Sequence, residues 1–408
     1  MRILWVKAGG LVPLDVGGRI RSFHILKGLA LQHQITLFTF YPAQANDRHQ
    51  DLEKVFHRVV CQPLEIPSTR SFADYLGYTR HLFSPYPHCL AKYYRPGVAE
   101  SLRSLVESNP YDVIICDFLT PVGVIPWDSP SPKILFTHNV EAMIWQRHYQ
   151  VARNPLWKAA CWREYRAMSR LERHYLERAD HVLTVSDADR EVFARFLAAS
   201  KITVIPTGVD VDYFRPKPGN EQPNTLVFTG AMDWLANEDA ICYFADEILP
   251  RVRQQVSETV LWVVGRNPSD RLRSLAEKKN GMKVTGEVED VRPYVRDAAV
   301  YIVPLRVGGG TRLKIFEAMA MGKAVVSTSI GAEGLPVRDG ENILLADEGG
   351  DFARKIVNLL RDPATRNRLG QAGRRLVESE YSWSSVAERF DSILRRVVTT
   401  PAQPLACR

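Results

Sequence analysis

Short apolar runs recur along the chain, separated by stretches with helical spacing. RILWV (2–6) comes first. A long loop, KAGGLVPLDVGGR, follows it and leads to a helix pattern with apolar residues at Ile20, Phe23, Leu26 and Leu29. Then comes ITLFTF (35–40). A strand–loop–helix–strand unit of this kind pairs its strands in parallel through a right-handed crossover. Further strands are expected at DVIIC (112–116), KILF (133–136), HVLTV (181–185) and ITVI (202–205). The rhythm resumes at TLVFT (225–229), TVLWVV (259–264), MKVT (282–285), AVYIV (299–303), AVVST (324–328) and NILL (342–345). Apolar runs without alternation belong to strands covered on both faces. The pattern predicts an α/β protein of two tandem domains, each a parallel sheet with helices on both faces. PTGVDVDYFRPKPGNEQP (206–223), with its four prolines, reads as a linker. It separates a domain at 1–205 from one at 206–383, and a last helix pattern covers about 384–400. Ligands of open parallel sheets sit beyond the carboxyl ends of the strands, so two facing domains would form a cleft.

With 408 residues, 45% hydrophobic and 24% charged, the chain has the composition of a globular enzyme. Its apolar runs are too short for a membrane span. Lys7 interrupts the first run, which favours a buried strand over a signal peptide. The six cysteines are scattered without a C-x-x-C pair. That argues against a zinc site or disulfide framework and fits a reducing, cytoplasmic setting. Charge is uneven. Residues 1–205 carry 25 Lys and Arg against 19 Asp and Glu, and all ten histidines, whereas residues 206–408 carry 28 against 27. A basic first half suits an anionic membrane surface, a phosphate-bearing substrate, nucleic acid or simply solvated helix faces.

The sharpest chemical signal is VGGGTRLKIFEAMAMGKAVV (307–326), between two strand patterns. A glycine-rich loop running from a strand into a helix presents backbone N–H groups to an anion. Thr311 is placed to cap that helix. Arg312 and Lys314 then fall in its first turn, where the helix dipole disfavours cations by a few tenths to about 1 kcal/mol each. A bound phosphate or diphosphate offsets that cost. Gly309, Gly310, Thr311 and Leu313 would then line that anion with Arg312 and Lys314. Glu317, three residues after Lys314, would accept two sugar hydroxyls. A plain Lys314–Glu317 surface pair at i, i+3 is the other reading, and it leaves the glycines unexplained.

These residues, VPLRVGGGTRLKIFEAMAMGKAVVSTSIGAEGL, resemble the donor-binding signature of the family 4 glycosyltransferases. The resemblance extends over almost the whole chain. PTGVDVDYFRP is similar to that family's interdomain linker, FTGAMDW to the opening turn of its second domain, Gly17-Gly18 to its N-terminal glycine pair, and YSWSSVAERF to its final helix. It implies the GT-B fold: two facing Rossmann-like domains, with the C-terminal helix packing back on the first. It also implies transfer of sugar from a nucleotide-diphosphate donor with retention of configuration and without a metal or other cofactor. The expected partners are that donor and a sugar or lipid-linked acceptor, in cell-surface or exported polysaccharide assembly at the inner face of a membrane. Gly17 and Gly18 would face the donor phosphate and sugar. His138, in FTHNVEA, would approach the reaction centre. Gly230, Gly265, Arg266 and Val288 would border base and phosphates. Catalytic residues would thus be His138, Arg312, Lys314 and Glu317. Two positions depart from the family pattern. Gly309 stands where a first glutamate is usual, and GAMDWLANEDA lacks the usual Arg and Lys. A non-catalytic scaffold subunit and a nucleotide-sugar epimerase are the alternatives, the second needing acid/base carboxylates that the sequence does not place.

Asp15 could contact a sugar hydroxyl, and Asp117, ending a strand, could orient the acceptor hydroxyl. Glu141 could be the first-turn acid of a helix. Dinucleotide binding fits poorly, without G-x-G-x-x-G. Asp210-Val211-Asp212 lies in the linker and reads as turn chemistry, not a metal motif. Residues 71–95 and 154–178 mix aromatic and basic positions. Both interfacial helices, in peripheral contact with a membrane, and ordinary amphipathic helices look like this. No nucleic-acid motif accompanies them, so no nucleic-acid partner is expected.

Overall fold

The computed structural model describes residues 1–14, 16–41, 50–66, 72–81, 84–152, 154–217, 221–307 and 313–399. Two compact units emerge: Met1–Pro206 together with the chain from Val386 onward, and Thr207–Ser385.

The first unit is built on β1 (Arg2–Ala8), β2 (Gln34–Tyr41), β3 (Arg58–Pro63), β4 (Val113–Asp117), β5 (Lys133–Phe136), β6 (His181–Thr184) and β7 (Ile202–Val204). They form one parallel sheet in the order β3-β2-β1-β4-β5-β6-β7. β1 lies inside the sheet, between β2 and β4, and its Ile3, Leu4, Trp5 and Val6 are fully buried. Residue for residue, β1 pairs with β4 so that Lys7 stands opposite Asp117. The chain order reverses between these two strands, which makes their carboxyl ends the topological switch point where such sheets bind ligands. β3 was not expected from the sequence. It is an edge strand whose interior positions are only half-buried, so RVVCQP shows neither a solid apolar run nor alternation.

The second unit contains β8 (Gln222–Thr229), β9 (Val260–Val264), β10 (Met282–Val284), β11 (Ala298–Val303), β12 (Ala324–Ser327) and β13 (Leu344–Leu345). The order is β10-β9-β8-β11-β12-β13, again all parallel, with its reversal between β8 and β11. Both sheets are thus the doubly wound, Rossmann-like kind.

Of the helices, α1 (Gly17–Leu29) follows β1, and α2 (Glu141–Val151) and α3 (Pro155–Arg178) lie between β5 and β6. In the second unit, α4 (Leu235–Tyr243) follows β8, and α5 (Leu313–Ala320) lies between β11 and β12. The last helix is α6 (Trp383–Thr399). Its Val386, Ala387, Phe390, Ile393 and Leu394 are buried, a single stripe at helical spacing. Phe390 packs 5.5 Å from the rings of both Trp5 and Phe136. His33 Nε2 lies 2.6 Å from Asp391 Oδ1. The C-terminal helix therefore completes the first unit, as the resemblance implied.

The proline-rich segment read as a linker is not a free tether. The Val209 N–H donates to Tyr381 O at 2.7 Å, and Arg374 Nη1 donates to Val211 O and Phe214 O at 3.1 and 2.9 Å. The Arg292 guanidinium stacks 3.7 Å from the Tyr213 ring centroid. The segment is thereby fastened to the second unit. Asp210 Oδ1 accepts the N–H of Asp212 and Tyr213 at 3.2 and 2.8 Å, the turn chemistry read from the sequence.

Candidate functional site

In the first unit, a buried polar network closes the carboxyl ends of β1 and β4. Asp117 is fully buried. Its Oδ2 accepts from Trp5 Nε1 at 2.9 Å, Lys7 Nζ at 2.9 Å and Ser22 Oγ at 2.6 Å. Its Oδ1 lies 2.9 Å from His138 Nε2. On the other side of the imidazole, Arg21 Nη1 lies 2.9 Å from Nδ1. A guanidinium only donates, so Nδ1 accepts and the ring proton sits on Nε2, donated to Asp117. Phe118 stacks on the imidazole at 3.7 Å between centroids, and Phe136 flanks it at 4.4 Å.

The electrostatics follow from burial. Burial pushes the His138 imidazole down to about 3, with Asp117 opposing and Arg21 and Lys7 reinforcing. Burial alone would raise the Asp117 carboxyl. The charge of Lys7 and the hydrogen bonds from His138 and Ser22 more than offset it and hold Asp117 well below the usual carboxylate range. Burial lowers Arg21 to about 10, so its charge persists at neutral pH. The result is a neutral histidine of fixed tautomer above a carboxylate that is itself spoken for. Asp117 has no oxygen turned to solvent, and its geometry suits orienting His138 rather than an acceptor hydroxyl.

The sequence places Arg21 and Ser22 here because α1 starts at Gly17. Arg21, Ser22, Ile25, Leu26 and Leu29 form its buried face, with the polar pair at the site end. Gly18 is required by packing: a Cβ there would come 2.6 Å from Phe118 Cζ. Gly17 has open space beside it and is exposed. Phe118 itself adopts φ +71°, a left-handed conformation uncommon for a bulky residue, directly after the strand that carries Asp117. Glu141 opens α2, as a first-turn acid. The N–H groups of Glu141 and Ala142 are held by the buried carboxylate of Glu172 on α3, at 2.8 and 3.3 Å. Burial pushes the Glu172 carboxyl up to about 8.

In the second unit, glycines strip the strand ends of side chains. The Gly230 N–H donates to Val264 O at 3.0 Å, and the Gly265 N–H to Gly286 O at 3.2 Å. A Cβ on Gly265 would fall 1.7 Å from Gly230 O, which no side chain survives. A Cβ on Gly230 would fall 2.7 Å from the Lys314 ammonium. Lys314, the second residue of α5, donates to Asn237 Oδ1 at 3.0 Å and lies 4.0 Å from the centroid of Phe228. The Asn237 amide nitrogen donates to Ala231 O at 2.8 Å, which fixes the orientation of its oxygen toward Lys314. One turn along α5, burial pushes the Glu317 carboxyl up to about 7, with the Lys314 charge pulling the other way. Beneath, the Tyr301 hydroxyl lies 2.5 Å from Thr229 Oγ1 across the switch point.

The structure thus brings Lys314, Glu317 and Gly230 to one end of the second sheet, and His138, Asp117, Gly17 and Gly18 to one end of the first. Leu313 opens α5 and is half-buried. Arg266 is exposed, 4.0 Å from Asp233. Val288 packs against the apolar cluster around Val295 and Tyr301. Asp15, Gly309, Gly310, Thr311 and Arg312 lie outside the described residues. Sequence reasoning missed Trp5, Lys7, Arg21, Ser22 and Asn237. A usable signal existed for one pair: a lysine interrupting a buried strand near its end, and an aspartate ending another. Among the described residues, no group of three or more His, Cys, Asp or Glu is placed to hold a metal ion, and no helix is long and apolar enough to cross a membrane.

Two switch-point sites on two Rossmann-like units are the layout of GT-B glycosyltransferases. Comparison with known proteins agrees. Residues 17–213 match the profile of Glycosyltransferase Family 4, and residues 223–362 that of Glycosyl transferases group 1. The chain belongs to the family 4 glycosyltransferases. Among curated relatives, it is 30% identical over 234 residues to the phosphatidyl-myo-inositol mannosyltransferase of Mycobacterium tuberculosis. That match takes in 54% of this chain and 61% of the relative, less than two thirds of its length. Among solved structures, sucrose-phosphate synthase from Thermosynechococcus elongatus aligns with a TM-score of 0.67 at 20% identity, over 97% of this chain and 98% of that one. Anabaena HepE, solved with UDP-glucose, aligns with a TM-score of 0.62 at 14% identity, over 97% and 100%. At such identities these structures speak to the fold alone.

Proposed function

We propose that this protein moves a glycosyl group from a nucleotide-diphosphate sugar to a sugar or lipid-linked acceptor, with retention of configuration, in cell-surface or exported polysaccharide assembly. One observation carries the reading. The Lys314 ammonium is held by Asn237 and the Phe228 ring beside Gly230, where a side chain would crowd it, with Glu317 one turn away. A fixed cation there stabilises the negative charge that develops on a departing diphosphate. Arg312 and the loop N–H groups would share that charge, so the reading needs neither a resident metal nor another cofactor. Glu317, poised near neutrality, would accept hydroxyls of the nucleotide ribose or the donor sugar. The acceptor oxygen forms its bond to the anomeric carbon on the face the diphosphate leaves. The bond from that carbon to the phosphate oxygen breaks, and the acceptor proton passes to the departing phosphate. No side-chain nucleophile is required. On the first unit, burial keeps His138 neutral, Asp117 and Arg21 hold its ring in place, and the exposed Gly17 at the start of α1 leaves room for a ligand at that helix end. The relatives support the substrate classes: one is a phosphatidyl-myo-inositol mannosyltransferase, and a structural neighbour was solved with UDP-glucose.

A thermal-shift screen of UDP-, GDP-, ADP- and dTDP-sugars, with and without EDTA, tests the reading and names the donor. Selective stabilisation that survives EDTA and vanishes in Lys314→Ala is expected. No shift with any nucleotide sugar in the folded protein would refute it and favour a non-catalytic scaffold.

A further inference from the structure

The exposed face of α3 has no part in the chemistry above, yet its charges are sorted. Of its three carboxylates, Glu164 and Glu172 are buried and only Glu177 reaches solvent. Lys158, Arg166, Arg170, Arg173 and Arg178 are all exposed. Arg173 pairs with Glu177 at 2.7 Å. Lys158, Arg166 and Arg170 have no carboxylate partner among the described residues. Lys158, Trp162, Arg166, Ser169 and Arg173 follow at steps of four, four, three and four residues, the spacing of one helical stripe. From Lys158 to Arg173 the stripe runs about 22 Å, with Arg170 beside it one turn after Arg166.

Apolar side chains stand at the same end. Trp162 is 49% exposed and Leu156 82%, whereas Trp157 turns toward the buried side, its ring 6.5 Å from that of Trp145. The Asn154 side chain caps the helix by accepting the N–H of Leu156 and Trp157 at 2.9 and 3.1 Å, so these residues sit on a rigid first turn and not on a fraying end. The helix is anchored from beneath. Arg163 Nη2 donates to the carbonyls of Ser84 and Tyr86 at 2.7 and 3.1 Å, and Glu164 accepts the His88 N–H at 3.0 Å. A helix face carrying arginines and a lysine without carboxylate partners, together with exposed Trp and Leu, fits a lipid headgroup layer: cations meet anionic phosphates while tryptophan sits at the interface. A nucleic acid would use the cations and the aromatic rings but has no place for Leu156.

We infer that the exposed face of α3, centred on Trp162, Arg166 and Arg170, docks this protein on an anionic phospholipid surface. The inference is independent of the glycosyl-transfer reading. The full chain is tested by flotation with vesicles of phosphatidylcholine alone and of an equimolar phosphatidylcholine–phosphatidylglycerol mixture, at low and high salt. Binding to the anionic vesicles only, weakened by salt, is expected. R166Q/R170Q should lower the affinity roughly 30-fold, at about fivefold per cation near a charged surface. W162S should weaken binding also at high salt, where the charge contribution is screened. All three positions are exposed, so circular dichroism and melting should match the parent protein. Equal binding to both vesicle types, no binding to the anionic ones, or unchanged affinity in R166Q/R170Q would overturn the inference. So would a single-stranded RNA that binds as tightly as the vesicles with the same residue dependence, which would make the face a general polyanion site.

Discussion

Replacing Asp117 with asparagine separates two roles for that side chain. Four donors converge on it: Trp5, Lys7 and Ser22 on Oδ2, and His138 on Oδ1. Asparagine keeps one acceptor and turns the other into a donor. With its nitrogen in the Oδ2 place, it confronts the Trp5 indole and the Lys7 ammonium, neither of which can accept. With its nitrogen in the Oδ1 place, it confronts the His138 Nε2–H. The ring cannot escape by moving its proton to Nδ1, because Arg21 Nη1 occupies that side at 2.9 Å. Each orphaned buried donor costs about 1–3 kcal/mol. Lys7, only 3% exposed, also loses its counter-charge. Breaking a buried pair from one side puts the whole at about 3–5 kcal/mol. Because the chain has two compact units, a global melt would mix their transitions. Native-state hydrogen exchange of the β1 and β4 amides isolates the first unit. Their opening free energy should fall by that amount while β8 and β11 are unchanged, and Lys7→Met combined with Asp117→Asn should recover part of it. A variant with full protection in β1 and β4 but no transferase activity would refute this reasoning and return Asp117 to a direct role toward the acceptor.

Other outcomes follow from the same geometry. Lys314→Ala should lower turnover by at least tenfold while shifting stability little, measured with the donor that the screen identifies; unchanged turnover would remove Lys314 from the reaction. The His138 imidazole is depressed to about 3, so below its unfolded value of about 6.5 the unfolded chain binds the extra proton. Its share of first-unit stability should be present above that value and decline by ~1.4 kcal/mol per pH unit on acidification. Between pH 7 and 5 the slope measured by exchange should fall by that amount in His138→Gln relative to the parent, the contributions of Glu172 and His181 being common to both proteins. Gly265→Ala would drive a methyl into Gly230 O at 1.7 Å and should destabilise the second unit by roughly 3 kcal/mol; a melting temperature equal to the parent's would contradict it. Glu317 is raised to about 7, so if it must be ionised to accept hydroxyls, nucleotide-sugar affinity should weaken as pH falls below 7. In Glu317→Gln, isothermal titration should find that dependence gone.

Much of the architecture was legible because its strands are covered on both faces. Buried parallel strands such as VIIC and AVYIV need solid apolar runs, and these mark themselves. β3 escaped because an edge position asks only for half-burial. The site was legible where backbone chemistry dictates residue type. Gly230 and Gly265 are forced by contacts that leave no room for a Cβ, and a glycine at a strand end advertises that. Gly18 illustrates the ambiguity of the same signal. Its constraint is Phe118, a neighbour within the unit. Of the network around Asp117 only the lysine interrupting one strand and the aspartate ending another left a trace, since Ser22 and Arg21 look like ordinary interruptions of an apolar pattern. Only the register that sets Lys7 against Asp117 reveals them, and register is a property of the folded sheet. Asn237 was hidden differently. It replaces nothing the pattern demands, and its meaning depends on Lys314 arriving from a helix far along the chain.

The first unit is written in two places, with the whole of the second inserted between them. Trp5 and Phe136 await Phe390, and Gly28 awaits Ala387, whose methyl sits where a Cβ on residue 28 would lie 2.4 Å away. A chain emerging from the ribosome therefore makes the first sheet early but cannot roof it until the end, while the second unit is already complete. The usual order, in which N-terminal domains mature first, is inverted. A stop falling just after Ser385 would spare the later unit and leave the earlier one with an open apolar flank, which makes the first sheet, and not the truncated end, the place where such a fragment would aggregate.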